Sequence, residues 1–144
     1  MEYATEVWNP HLKNQIDRIE KLQKFFAKIM SKRYGYIYTP YDEKLKIYRL
    51  EKLTLRRKIA DLSTTFKIIR GFTSLNVPKL FTFSHKLLRR PLLLRVRRHI
   101  SKTQNNFFHR VVKYWNNLPI DAIQMNNPKK FRQHIRNIQP ENQP

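Results

Sequence analysis

From Leu62 to Ile120 the chain carries twelve Lys and Arg and no Asp or Glu. Ten acids spread evenly over 144 residues would place about four in a window of that length. A fold built from such a stretch must reach acids elsewhere in the chain, leave its cations in solvent, or meet an anionic ligand. The flanks are closer to balance: residues 1–61 hold fourteen cations and eight acids, residues 121–144 hold four and two, and the formal charge is +20. Self-repulsion at that charge opposes compaction and attracts phosphate polyanions or anionic membrane surfaces. Nine Phe, seven Tyr and two Trp within a 40% hydrophobic composition nevertheless supply a packed core. The absence of cysteine removes disulfides, thiol nucleophiles and thiolate zinc sites, and suggests an intracellular protein. Met1-Glu2-Tyr3-Ala4 lacks signal-peptide character, and the longest uncharged apolar run, Pro91 to Leu94, is far too short to span a membrane.

Periodicity predicts a mainly α fold: a small bundle of about five helices in a single unit, with a loop-rich basic segment that holds one or two short strands. Asn9-Pro10 reads as a helix start, and Leu12, Ile16, Ile19, Leu22, Phe26 and Ile29 recur at steps of three and four, predicting a helix over 10–33 that ends before Gly35. Asp17–Lys21 and Glu20–Lys24 are spaced for i, i+4 support. Thr39-Pro40 with Asp42 resembles a capping box and opens a helix over 41–50. Thr54 is the next N-cap candidate, with Leu55, Ile59, Leu62, Phe66 and Ile69 on one face of a helix over 55–70 and Gly71 as its left-handed cap. Val77-Pro78 interrupts any continuation, and 72–105 reads as the basic loop, with Phe81 and Phe83 on a strand-like alternation. Asn105 or Asn106 caps a helix over 106–117 that ends at Leu118-Pro119, and Asn127-Pro128 starts one over 128–138. No internal repeat and no Gly/Ser linker is present.

No catalytic constellation is legible. His11, His85, His99, His109 and His134 are too scattered for a helical metal pair, so no metal or cofactor is expected. Asp42-Glu43 fits first-turn acids favoured by the helix dipole better than an acid/base pair. Gly35 and Gly71 are single, which excludes a phosphate-cradling glycine loop. Ser63, Ser74, Ser84 and Ser101 lie in no nucleophile-elbow context.

Three blocks carry a family resemblance: Glu2-Tyr3-Ala4-Thr5-Glu6-Val7-Trp8-Asn9-Pro10; Leu53-Thr54-Leu55-Arg56-Arg57-Lys58-Ile59-Ala60-Asp61-Leu62 with Lys67-Ile68 and Gly71; and Phe107-Phe108-His109-Arg110-Val111-Val112-Lys113-Tyr114-Trp115-Asn116-Asn117-Leu118-Pro119. Over residues 2–135 the chain resembles the C-terminal part of the reverse transcriptase of non-LTR retrotransposons, the LINE class and in particular jockey-like elements. Ser63-Thr64-Thr65-Phe66 is more polar than the family's run there, and 85–98 matches loosely. The resemblance implies a thumb and post-palm region, helical and packed beside template-primer duplex, whose backbone phosphates it contacts. The parent family is an RNA-directed DNA polymerase that holds two metals on palm aspartates, including an Asp-Asp turn. This chain has no Asp-Asp pair, so the isolated chain is not expected to be an enzyme, and a palm domain becomes a candidate partner.

The candidate nucleic-acid contacts follow from the charge. Arg56, Arg57 and Lys58 stand at the start of a helix, where the dipole disfavours cations, with Glu51 or the acids of the first helix as alternative partners. Lys86, Arg89, Arg90, Arg95, Arg97, Arg98 and Lys102 form the densest cluster, a phosphate track or a nuclear-import signal. Arg110 and Lys113 lie three apart on the fourth helix. Trp115 is assigned to the core, Phe107 or Tyr114 to an exposed ring, and Tyr34, Tyr36, Tyr38, Tyr41 and Tyr48 to the ends of the first helices or to base stacking. The expectation is a non-catalytic, nuclear module that grips RNA or RNA/DNA duplex by its phosphates. The alternatives are a decayed element fragment without function and a basic amphipathic binder of anionic membranes.

Overall fold

The computed structural model describes residues 5–36, 38–83, 93–96 and 106–138. In chain order its elements are α1 (Thr5–Trp8), α2 (Lys13–Tyr34), α3 (Tyr41–Ile47), α4 (Leu53–Ile69), α5 (Val77–Leu80), β1 (Phe81–Phe83), β2 (Leu94–Val96), α6 (Phe107–Asn116), α7 (Ile120–Gln124) and α8 (Pro128–Ile138). The fold is mainly helical, and the five expected helices are α2, α3, α4, α6 and α8. The one-turn helices α1, α5 and α7 were not expected. Packing groups the chain into two compact units, Pro10–Arg57 and Met1–Asn9 with Lys58–Pro144. The boundary falls inside the continuous helix α4, so no linker marks it in the sequence.

In the unit Pro10–Arg57, α2 starts three residues later than Asn9-Pro10 suggests. Leu12, in extended backbone, is the N-cap residue without a side-chain cap, and its carbonyl accepts from the amides of Gln15 and Ile16, both at 3.0 Å. Gly35 ends the helix in the left-handed region at φ 82°, which lets the Tyr36 amide reach back to the Ser31 carbonyl at 2.9 Å. The face that α2 buries is not the apolar stripe. Gln23, Ala27 and Ser31 are buried, Ile16 and Ile19 half-buried, while Leu22, Phe25, Phe26, Ile29 and Met30 are exposed. The polar members of the buried seam are satisfied where they sit: Gln23 donates to the Glu51 carbonyl (3.0 Å) and the Tyr41 hydroxyl (3.1 Å), and Ser31 donates to the Ala27 carbonyl (2.7 Å). A small, hydrogen-bonded seam admits a close neighbour, whereas the bulky stripe a third of a turn away does not.

Thr39 does not cap α3, which starts after Pro40 with Asp42 and Glu43 in its first turn. It ends at Ile47 rather than near Leu50, because Arg49 turns into the left-handed region at φ 52° and lets the Leu50 amide bond the Leu45 carbonyl at 2.8 Å. Thr54 is not the cap of α4 either. The Glu20 carboxylate accepts from the Leu53 amide (3.2 Å) with one oxygen and from the Tyr41 hydroxyl (2.7 Å) with the other. Neither Asp17–Lys21 nor Glu20–Lys24 closes to an ion pair among the described residues.

The second unit has the larger core. Ile59, Leu62, Phe66 and Ile68 of α4 pack with Val111, Trp115, Leu118, Ala122, Ile123, Phe131 and Ile135, all at most 3% exposed. Phe66 stacks on Phe131 with ring centroids 4.2 Å apart, and Trp115 tilts against Phe131 at 6.1 Å. Gly71 takes φ 72° as expected, closing α4 through Phe72 amide to Lys67 carbonyl (2.8 Å) and Gly71 amide to Ile68 carbonyl (3.2 Å). Pro78 does not merely interrupt: it sits in the first turn of α5, where its missing N–H leaves no helical bond unmade. β1 and β2 pair antiparallel in the register Phe81↔Val96, Thr82↔Arg95, Phe83↔Leu94. Asn116 extends this pairing with its side-chain amide, accepting from the Leu94 amide (3.0 Å) and donating to the Leu94 carbonyl (3.1 Å). Asn106 caps α6 by accepting from the His109 amide (3.1 Å), and Asn127 caps α8 by accepting from Lys129 (2.9 Å) and Lys130 (3.1 Å).

Candidate nucleic-acid interface

Of the twelve cations that the sequence singles out, Lys86, Arg89, Arg90, Arg97, Arg98 and Lys102 lie outside the described residues. The other six divide by what their side chains meet. Arg57 is buried at 3% exposure and donates from Nε to the Leu53 carbonyl at 3.0 Å, so it braces α4 from within and presents no charge to a ligand. Arg110 faces inward as well. Its Nε and Nη2 bind the two oxygens of Asp61 at 3.0 and 3.3 Å, its side chain 12% exposed and that of Asp61 0%. That fork-on-fork geometry is what a planar guanidinium makes with a carboxylate. The reason for both departures is the same: a charge placed among core positions by helical periodicity must be hydrogen-bonded in place.

Arg56 is half-buried. Lys58 is half-buried too, its Nζ 5.1 Å from the centroid of the Tyr114 ring, and burial lowers its pKa from the ordinary value. Burial, with the nearby Asp61 charge, in turn raises that of the Tyr114 phenol. Tyr114 and Phe107 are half-buried rather than exposed rings, whereas Trp115 is fully buried, as expected of a core residue. Among the described candidates only Arg95 on β2 and Lys113 on α6 are exposed.

Further exposed cations were not singled out. On α8, Lys129, Lys130 and Arg132 are exposed on the side away from buried Phe131 and Ile135, and no acid occurs in the helix. Lys67, in the last turn of α4, is exposed as well. The signal for α8 was available in its composition, cations without acids from 128 to 138, but its charge density is lower than that of the 86–102 cluster. Lys67, Arg95, Lys113, Lys129, Lys130 and Arg132 make no ion pair among the described residues. Two acids have described side chains in this unit: Asp61 is held by Arg110, and the exposed Asp121 has its Oδ2 3.0 Å from His134 Nε2, off the line that a hydrogen bond needs. In the other unit, Tyr34, Tyr36 and Tyr38 are exposed, Tyr38 almost wholly at 98%, while Tyr41 and Tyr48 are held by hydrogen bonds to Glu20, Gln23 and Ser31.

Among the described residues no helix is long and apolar enough to cross a membrane. Comparison with protein-family models, with curated proteins and with solved structures gives no match to this chain.

Proposed function

We propose that the chain is a non-catalytic nucleic-acid-binding module, the thumb-like C-terminal region of a non-LTR retrotransposon reverse transcriptase, which grips RNA or template-primer duplex through backbone phosphates. One observation carries the reading: six exposed cations, Lys67, Arg95, Lys113, Lys129, Lys130 and Arg132, belong to a unit with two described acids, of which Asp61 is held by Arg110 and neither pairs with any of the six. Solvent-exposed charge of one sign without internal partners is the electrostatic footprint of a polyanion binder. The three sequence blocks in family order support the source of the module, and the palm domain that such a module serves is its natural protein partner. The absence of an Asp-Asp pair from the sequence supports a binding role rather than polymerase activity in the isolated chain.

Phosphate contacts position a protein without reading bases, so affinity is independent of sequence. With about six phosphates neutralised, log affinity falls against log salt with a slope of about −4 to −5. Fluorescence anisotropy with labelled RNA, DNA and hybrid duplex measures that slope, and a flat response refutes the reading. Primer extension by the isolated chain yields no product.

A second reading is favoured by one feature, the exposed apolar arc Leu22, Phe25, Phe26, Ile29 and Met30 on α2, adjoined by lysines as in a helix that lies on an anionic membrane. Cosedimentation with anionic vesicles at physiological salt tests it, and absence of binding removes it.

A further inference from the structure

Within the unit Pro10–Arg57, α2 and α3 enclose a hollow of about 220 Å³ lined by Lys24, Lys28, Lys32, Tyr41 and Lys44. Four of its five lining residues are cations and none is an acid. Lys24, Lys28 and Lys32 recur at i, i+4 and i+8, so their Cα atoms step along the helix axis by about 6 Å at a time, an interval suited to successive phosphates of an extended strand. All three are exposed and make no ion pair among the described residues. Lys44 approaches from α3 with its side chain largely buried.

The wall of the hollow is fixed. Tyr41 donates its hydroxyl hydrogen to Glu20 at 2.7 Å and accepts from Gln23 at 3.1 Å, and its ring carries Lys24 Nζ at 5.2 Å from the centroid. Burial and the bond to Glu20 raise the phenol's pKa, so Tyr41 stays neutral and adds no opposing charge. None of the described acids of this unit lines the hollow. Both oxygens of Glu20 are taken by Tyr41 and the Leu53 amide, Asp42 bonds Lys52 at 3.0 Å, and Asp17 and Glu43 lie outside the lining.

We propose that this hollow is a phosphate-binding site that takes a run of closely spaced phosphates, whether consecutive phosphodiesters of a nucleic-acid strand or a small free polyphosphate. The proposal rests in part on the phosphate-gripping function above, but it stands on different residues and can be tested apart from it. The exposed Lys24, Lys28 and Lys32 of the lining bind phosphate as a set of point charges rather than by the planar fork of arginine.

Calorimetric titration of the full chain with inorganic tripolyphosphate tests the site directly. The variant K24Q/K28Q/K32Q changes only exposed side chains and keeps the helical circular dichroism, while its tripolyphosphate affinity drops by about tenfold or more and its salt slope for single-stranded RNA becomes about 2 units shallower. The charge-matched variant K13Q/K21Q/K46Q, which removes three exposed lysines of the same unit that do not line the hollow, binds tripolyphosphate as the parent does. Displacement of tripolyphosphate by oligouridylate assigns the site to a nucleic-acid strand, and retention assigns it to a free polyphosphate. Equal tripolyphosphate binding by the parent and K24Q/K28Q/K32Q, or no binding by either, overturns the proposal. A flat salt response of the parent to RNA together with intact tripolyphosphate binding overturns the nucleic-acid function and leaves the site.

Discussion

Replacing Asp61 by Asn isolates what the buried charge pair does. The substitution keeps the side chain's shape and removes its charge, leaving the Arg110 guanidinium beside a neutral amide that can accept one of its two hydrogen bonds. Because the Arg110 side chain is only 12% exposed, water cannot replace the carboxylate. Removing one partner of a buried, hydrogen-bonded pair costs about 3–5 kcal/mol, and the retained amide contact places this case at about 3 kcal/mol. With a urea m value of about 1.5 kcal/mol/M for a unit of this size, the midpoint falls by about 2 M. Urea unfolding followed by Trp115 fluorescence in a Trp8→Phe background reads the transition, since Trp115 is fully buried beside Phe131. Replacing the pair together, D61L/R110M, restores most of the loss, because two apolar groups leave no charge stranded. A loss below about 1 kcal/mol for D61N, or an Arg110→Gln variant that unfolds like the parent but binds RNA with a salt slope shallower by about 1, refutes the structural assignment and returns Arg110 to the phosphate contacts.

Arg49→Gly stabilises the unit Pro10–Arg57 by about 0.5–1 kcal/mol in thermal or urea unfolding, since relief of a left-handed arginine at φ 52° outweighs the added freedom of glycine in the unfolded chain. On α2 the effects of substitution invert the usual amphipathic rule: Phe26→Gln and Ile29→Gln, on exposed positions, shift stability by at most about 0.5 kcal/mol, whereas Ala27→Leu overpacks the buried seam and costs about 1–3 kcal/mol. Alkaline titration has two opposing limbs. The lowered pKa of Lys58 penalises its charged form in the fold, so stability rises as pH climbs through that lowered value toward the ordinary 10.5, and Lys58→Gln removes the rise. The raised pKa of Tyr114 keeps its phenol neutral in the fold while the unfolded phenol ionises near 10.0, so stability falls as pH climbs past that point, and Tyr114→Phe lessens a fall to which the raised Tyr41 phenol also contributes, read by chemical denaturation at successive pH values.

How much of this was legible depends on whether a local rule had a competitor. Gly71 and Asn106 act as the sequence suggests, because a left-handed turn and an extended N-cap with a short polar side chain are local requirements that few other residues meet. Asn9, Thr39 and Thr54 follow the same kind of rule and do none of it. Asn9 donates to Asp61 at 3.4 Å, and Glu20, thirty-three positions before Leu53, supplies the acceptor at the start of α4. Long-range partners of this kind leave no mark in a window of three or four residues. The α2 stripe was legible as a pattern, but not its orientation: periodicity identifies an apolar face without saying that the face meets a neighbour. The candidate site suffered similarly. A helix-start position pointed to Arg57 and a three-residue spacing to Arg110, whose helical phase turns them into packed surroundings, and both rules passed over the lysines of α2 and α8 that reach solvent.

The described arginines divide between packed and exposed positions, and the division bears on specificity. The arginines that enter packed surroundings, Arg57, Arg70 and Arg110, bind a carbonyl or a carboxylate: Arg70 donates from Nη2 to the Ile123 carbonyl at 2.7 Å with its guanidinium 5.9 Å from the Phe66 ring. Planar, weakly hydrated guanidinium tolerates such burial, and its fork suits fixed acceptors. The exposed positions hold both types, lysine at Lys24, Lys28, Lys32, Lys67, Lys113, Lys129 and Lys130 and arginine at Arg18, Arg33, Arg49, Arg95, Arg132 and Arg136. Bidentate readout of a guanine edge needs a held fork aimed into a groove, whereas a flexible ammonium follows whichever phosphate lies nearest. The guanidinium groups of Arg57, Arg70 and Arg110 are committed to the protein's own acceptors, so a phosphate grip of the kind proposed above falls to the exposed lysines and arginines.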